Sequence, residues 1–180
     1  MLPEDDVRET PPELFNARAE KVGGFTLDAA ATVENAKCDR FYAEDGYWVW
    51  KQGATIKSAV CFDPRLTGLT GPWSGRVWIN PPFSQIGAWV AKCWRECAAG
   101  RVELIEMLLP ATRTEQGFWQ QLVEPYRDGR PSLVAGCQLT TEFLAGRQHF
   151  LKDGKPILNP TTGKRSSPKF GVVILHWERR

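Results

Sequence analysis

No apolar run in this sequence approaches the length of a membrane span, no two cysteines form a C-x-x-C pair, and no G-x-G turn occurs. The first absence excludes a membrane-spanning helix. The acidic opening Met1-Leu2-Pro3-Glu4-Asp5-Asp6 is unlike a signal peptide, so a cytoplasmic location is expected. The five cysteines, Cys38, Cys61, Cys93, Cys97 and Cys137, are odd in number and wrongly spaced for a disulfide framework or a zinc site. Cys93 and Cys97 stand four apart on a predicted helix and read as small core residues, so no metal is expected. One-sided charge is also lacking: a net +2 does not announce a nucleic-acid partner. What asymmetry exists is local. The first twenty residues lean acidic, whereas Lys152 to Lys169 and the end Glu178-Arg179-Arg180 lean basic. A basic face meeting phosphates and a solvated loop both fit that pattern.

What is present suits a globular enzyme or binding module. With 180 residues, 42% hydrophobic and 24% charged, the chain makes one domain with a sizeable core. Eight tryptophans are available for packing or for stacking on bases. Thr10-Pro11-Pro12-Glu13 reads as a helix start, with Thr10 as N-cap and Pro11 at the first helical position, ending at Gly23-Gly24. Phe25-Thr26-Leu27 reads as a short strand leading into Asp28-Ala29-Ala30-Ala31. Small residues after such a strand let a ligand approach the backbone, although a plain turn explains them equally. Glu44-Asp45-Gly46 and Lys51-Gln52-Gly53 are turn signals around the strand-like Tyr47 to Trp50, and Ser58 to Phe62 is a second strand. Ser84 to Ala99 is an amphipathic helix capped by Ser84, with Ile86, Trp89, Val90, Cys93 and Cys97 on one face. Val102 to Leu109, ending at Pro110, reads as a strand that is mostly apolar toward its end and therefore central. A helix with a capping box at Thr112 to Glu115 follows, then a short strand Ser132 to Ala135. Two final strands, Gln138 to Phe150 and Phe170 to Trp177, flank a polar loop. The order predicts an α/β fold with a mostly parallel sheet and an antiparallel C-terminal edge. Sites in such sheets lie beyond the carboxyl ends of the strands, where Asp28, Asp63, Asn80 and Pro110 are expected.

The most informative stretch is Asn80-Pro81-Pro82-Phe83, which follows the apolar run Val77-Trp78-Ile79. Two prolines fix φ and remove two backbone donors, and Pro81 holds Asn80 extended at the strand tip. The expected result is a rigid pair of acceptors, the Asn80 side-chain oxygen and the Pro81 carbonyl, beside an exposed Phe83 ring. That suits gripping a planar amine: two acceptors take its N–H groups while the ring covers a flat face. A proline-rich turn after a buried strand is the plainer alternative.

The chain resembles the phage-type DNA N6-adenine methyltransferases, often called Dam-like. The resemblance rests on Thr10-Pro11 with Leu14-Phe15, Phe25-Thr26-Leu27-Asp28 with Ala30-Ala31, and Asn35-Ala36-Lys37-Cys38. It continues through Trp73 to Phe83, Trp89-Val90-Ala91-Lys92, Leu108-Leu109-Pro110-Ala111, and Phe143 to Arg147 with Phe150. It implies a class I S-adenosylmethionine-dependent (Rossmann-like) fold, with Asn80, Pro81, Pro82 and Phe83 as the catalytic motif. Phe83 stands where Tyr is usual. Thr10, Pro11 and Asp28, with Ala29 and Ala30 beside it, match the cofactor pocket. An insertion between Tyr47 and Pro72 leaves either Asp45 or Asp63 as the acid near the cofactor, and 152–169 is a second variable loop within a single domain.

The implied activity is methyl transfer to adenine N6 of DNA in a bacterial host cell, from a phage or prophage gene. No metal and no membrane are expected. Arg113, near the site mouth, and Arg147, Lys164 and Arg165 are candidate phosphate contacts. The alternatives are N-methylation of cytosine N4, rRNA or protein glutamine, and a non-enzymatic DNA-binding α/β module.

Overall fold

The fold is built outward from two strands whose carboxyl-terminal halves water does not reach. Val77 and Ile79 of β5 (Gly75–Ile79) are wholly buried, and so are Ile105, Met107 and Leu108 of β6 (Val102–Pro110). A strand buried on both faces belongs at the centre of a parallel sheet, and these two pair in parallel, Val77 opposite Ile105 and Ile79 opposite Met107. The structure, a computed structural model, describes residues 8–50, 58–166 and 168–180. Around the central pair it places α1 (Pro12–Val22), β1 (Leu27–Asp28), β2 (Arg40–Ala43), β3 (Gly46–Trp50) and β4 (Ala59–Asp63) before β5. After it come α2 (Ile86–Ala99), β6, α3 (Gly117–Leu122), β7 (Cys137–Phe143), β8 (Leu151–Lys152), β9 (Lys155–Pro156) and β10 (Val172–Arg179). No described helix is long and apolar enough to cross a membrane.

The main sheet has eight strands in the order β4-β3-β2-β1-β5-β6-β10-β7. Its core, β2-β1-β5-β6, is parallel, and β10 and β7 run antiparallel as the C-terminal edge. The predicted α/β class with that edge is therefore the one observed. A second antiparallel flank, β2-β3-β4, lies on the other side and was not expected. Its cause is the tight turn at Glu44-Asp45, which returns the chain at Gly46 (φ 151°), where a Cβ would meet Cys61 Sγ at 2.6 Å. The expected turn at Lys51-Gln52-Gly53 lies outside the described residues.

Helices cover the two faces. On one, Phe15 of α1 meets Trp78 edge-on at 5.5 Å. On the other, Trp94 of α2 packs edge-on against Trp177 at 5.9 Å and Trp119 of α3 against Phe143 at 6.4 Å. Cys93 and Cys97 are core residues, as their spacing indicates.

Several helix starts differ from expectation. Thr10 does not cap α1: the helix begins at Pro12, Pro11 is the N-cap, and Phe15 N–H donates to the Pro11 carbonyl. A proline at the first helical position forces the preceding residue to be extended (Pro11 ψ 140°), which leaves Thr10 one residue outside. Ser84 sits in a 3-10 turn, Phe83–Gln85, ahead of α2, and α3 starts after Gln116 rather than from the Thr112 box. No strand forms over Ser132 to Ala135, because Ser132 Oγ bonds Val134 and Cys137 and closes a turn there. The strand expected over Gln138 to Phe150 stops at Phe143, and the basic excursion begins.

α1 is fixed to the sheet by charge as well as by packing. Glu106 is fully buried in β6 and accepts from Arg18 Nε at 2.8 Å, from Arg18 NH2 and from His176 Nδ1 at 3.0 Å. Burial pushes the Glu106 carboxyl up, and the Arg18 and His176 hydrogen bonds more than offset this, leaving it below the usual range. Removing one partner of such a pair strands a buried charge, so Arg18→Met is expected to destabilise the fold by about 3–5 kcal/mol in urea unfolding at pH 7. Because the folded carboxyl is depressed, this contribution is present above the unfolded value and is lost as pH falls through the folded one. The Arg18→Met deficit should therefore shrink below about pH 4.

Candidate functional site

Parallel strands end on one side of a sheet. The carboxyl ends of β1, β2, β5 and β6 accordingly bring Asp28, the Glu44-Asp45 turn, Asn80 and Pro110 to one edge. Two reversals put the end of β4, Asp63, on that edge as well. Two more, through β10, put the end of β7 there, so the excursion 144–171 rises from the same side.

At the tip of β5 the proline pair does what its chemistry dictates. Pro82 (φ −54°, ψ 125°) turns the chain into the 3-10 turn, and its carbonyl accepts Gln85 N–H at 3.1 Å. Asn80 is half-buried, and its amide is asymmetric: Nδ2 donates to the Arg8 carbonyl at 2.6 Å, while Oδ1 is buried with no partner among the described residues. The Thr10 hydroxyl, two residues beyond Arg8, is likewise buried and unpartnered. Orphaned buried polar groups are uncommon because each costs about 1–3 kcal/mol, and this pair, one on the N-terminal segment and one at the tip of β5, offers polar atoms to a ligand.

Phe83 is not the exposed ring that was expected. It is 6% exposed, with Phe150 and Phe170 edge-on at 6.4 and 6.0 Å. Edge-to-face packing favours such a cluster, and it docks both ends of the excursion onto the motif. The excursion is pinned again at its hairpin β8–β9. Glu9 N–H donates to the Leu151 carbonyl at 2.9 Å, Leu151 N–H to the Glu9 carbonyl at 3.0 Å, and Gly154 N–H to Glu9 Oε2 at 3.2 Å.

The three acids expected near the cofactor differ in what they still offer. Asp28 is 3% exposed, with Oδ1 accepting Ala30 N–H at 3.3 Å and Oδ2 accepting Lys37 N–H at 3.0 Å. It shapes the loop after β1 rather than presenting a free carboxylate. Ala29, buried at the start of that loop, donates N–H to the Trp78 carbonyl, and Ala30 is half-buried beside it. A Cβ on Gly68 would lie 2.0 Å from the Ala29 carbonyl, so the loop before Trp73 presses directly on this backbone. Asp63 is held by three Arg65 donors, its backbone N–H, Nε and NH2, which with little burial take its carboxyl down to about 2. Asp45 is exposed and accepts the Trp48 indole N–H at 3.1 Å.

Of the expected phosphate contacts, Arg113 lies three residues past the end of β6 at the edge, half-buried. Arg147, Lys164 and Arg165 are exposed on the excursion, the last two on a turn closed by Asn159 N–H to the Lys164 carbonyl at 2.9 Å. Arg8, Glu9 and Phe170 gave no sequence signal. Arg8 stands 72 residues from Asn80, and no periodicity connects them.

Burial raises the Asp28 carboxyl to about 6 against its two backbone hydrogen bonds. A raised folded value means stability that is full below the unfolded value near 4 and lost as pH rises through the folded one. The ligand-free protein should therefore lose roughly 3 kcal/mol of stability between about pH 4 and 7 from this group. Carboxyl-carbon NMR of Asp28 should show a midpoint near 6, and a midpoint below 4.5 would contradict the burial argument.

Comparison with known proteins adds the family. Residues 2–128 match the family described as DNA N-6-adenine-methyltransferase (Dam), a stretch that contains α1, the Asn80 tip and β6 but not the excursion. A DNA N-6-adenine-methyltransferase of Escherichia phage T1 is 28% identical over 162 residues, covering 88% of this chain and 56% of that protein. The chain thus spans about half the length of this relative. A match over residues 2–128, most of the chain, makes this protein a member of the DNA N-6-adenine-methyltransferase (Dam) family.

Proposed function

We propose that the protein methylates adenine N6 in DNA by direct transfer at the Asn80-Pro81-Pro82-Phe83 turn, using S-adenosylmethionine. The observation that carries this reading is the buried, unpartnered Oδ1 of Asn80 at the carboxyl end of a central parallel strand. The family match and the phage relative's name support the base and the reaction. The order β3-β2-β1-β5-β6-β10-β7, parallel at its centre and antiparallel at its C-terminal edge, supports reading the fold as a class I methyltransferase sheet.

The residues present fit the cofactor. The unpartnered Thr10 hydroxyl offers a polar contact and the small, half-buried Ala30 leaves room, while Pro11 and Ala29 are buried. Among the rival acids Asp45 is the better candidate to meet it. Asp63 is engaged by Arg65, and β4 is four inter-strand spacings from β5, about 19 Å, against about 10 Å for β2. When bound, S-adenosylmethionine supplies an electrophilic methyl on a sulfonium.

The chain's own task is to make the amine nucleophilic. The N6 lone pair is delocalised into the purine ring, so the planar amine is a weak nucleophile. Asn80 Oδ1 and the Pro81 carbonyl accept its N–H groups and favour a pyramidal nitrogen with its lone pair out of the ring plane. Preorganised acceptors of this kind lower the barrier without reorganising during the reaction. The proton lost from nitrogen after transfer passes to solvent. Reaching the turn requires the base to leave the duplex, and Phe83 covers its face only after Phe150 and Phe170 draw back.

Arg113 and the excursion residues Arg147, Lys164 and Arg165 supply phosphate contacts in this reading. A Lys164→Ala/Arg165→Ala variant is expected to lower the slope of log K against log salt by about 2, leaving cofactor affinity unchanged. An unchanged slope removes the excursion from the interface.

The deciding experiment incubates the protein with methyl-labelled S-adenosylmethionine and unmethylated DNA, then digests to nucleosides for mass analysis. The expected product is N6-methyladenine, and Asn80→Ala should lower the rate by about 10²–10³. N4-methylcytosine, label on rRNA or protein glutamine, or no transfer at all would each reject the assignment. Near wild-type transfer by Asn80→Ala would reject the site.

A further inference from the structure

An asparagine amide has one acceptor and one donor end, and the two are nearly the same shape. If Asn80 is to accept from an amine, something must stop its amide turning over. Asn80 Nδ2 donates to the Arg8 carbonyl at 2.6 Å, which holds Oδ1 in its buried, unpartnered orientation. With the amide reversed, Oδ1 would face the Arg8 carbonyl, acceptor against acceptor, and the donor end would face the incoming N–H. Arg8 is in turn held by its surroundings. Its guanidinium lies 5.8 Å over the Phe170 ring, and its neighbour Glu9 makes the two main-chain bonds to Leu151 and the side-chain bond to Gly154. Every one of those partners belongs to the excursion between β7 and β10.

We propose that Arg8 and Glu9 form a positioning strap that orients the Asn80 amide for catalysis, and that the excursion sets the strap. This rests on the methyl-transfer reading, since it assigns the acceptor role to Asn80 Oδ1. Arg8 acts through its main-chain carbonyl and touches no reacting atom, so it is a positioning residue. The arrangement links the basic excursion, where DNA phosphates are expected, to the orientation of one amide at the tip of β5.

The test breaks the strap without touching the turn. Glu9→Pro removes the N–H donated to Leu151, and Leu151→Pro removes the reciprocal one, so either serves should the other fail to fold. In the wild-type background the lesion is expected to lower kcat about tenfold at saturating DNA and cofactor. A carboxylate has no donor end and needs no orienting. In an Asn80→Asp background, whose own rate will be reduced, the same lesion should therefore cost nothing further. An equal loss in both backgrounds, or a loss confined to KM, assigns the strap a merely structural role and overturns the proposal.

A second readout needs no turnover. In ¹⁵N-labelled wild type, one side-chain amide proton of Asn80 should exchange slowly with solvent, and Glu9→Pro should release it. Fast exchange of both protons in the wild type, or slow exchange unaffected by the lesion, overturns the proposal. Absence of methyl transfer by the wild type would instead reject the proposed function, and the exchange measurement would still judge the strap.

Discussion

In a parallel ladder every strand ends on the same side, and β5 is hydrogen-bonded in that sense to β1 on one flank and β6 on the other. This register governs where chemistry can occur. It stacks Val77, Ile79, Ile105 and Met107 into a core that water cannot enter, and it delivers the groups just past each strand to a common edge. Asp28, the Asp45 turn, Asn80 and the chain after Pro110 meet there because the ladder leaves them no other side. Moving β5 by one residue would exchange its two faces and turn Trp78 away from Phe15 of α1.

The polar groups around this core fall into two kinds. Some are paired completely and hold the scaffold. Glu106 with Arg18 and His176 fastens α1 to the sheet. Glu96 with Lys92, Arg101 and the Trp73 N–H fastens the approach to β5 against α2. Others are left incomplete: Asn80 Oδ1 and Thr10 Oγ1 are buried with nothing to bond. Among the described residues the Trp89 and Trp177 indole nitrogens are buried and unpartnered as well, within the core, so what sets Asn80 and Thr10 apart is that their open atoms are oxygens.

The excursion from β7 to β10 gives that edge its second wall. Phe150 and Phe170 close on Phe83, and the β8–β9 hairpin pairs with Glu9, so the N-terminal strap, the motif and the basic loop form one contact network. It lies beyond the stretch matched by the family, 2–128, although its contacts run to residues within it. The family stretch supplies the turn, and the remainder packs against it.

Local and periodic features were readable from the residues alone. The Asn-Pro-Pro turn follows from the fixed φ of proline, α2 from apolar residues three and four apart, and the central strand β6 from a mostly apolar run toward its end. The apolar run of β6 is broken by Glu103 and Glu106 and is continuous only over Met107 to Leu109. Each of these signals reports on residues close in the chain, and for that reason each was legible. The long-range partners were decided only by tertiary structure. Whether Asp28 is free or spent on Lys37 N–H, whether Phe83 is open or under Phe150, and which end of the Asn80 amide faces the site all depend on contacts that no local pattern encodes. The missed caps have the same origin on a shorter scale, since Pro12 took the first helical position and moved Thr10 out of reach. The turn was written in the chain, whereas the carbonyl that aims its amide had to be brought from 72 residues away.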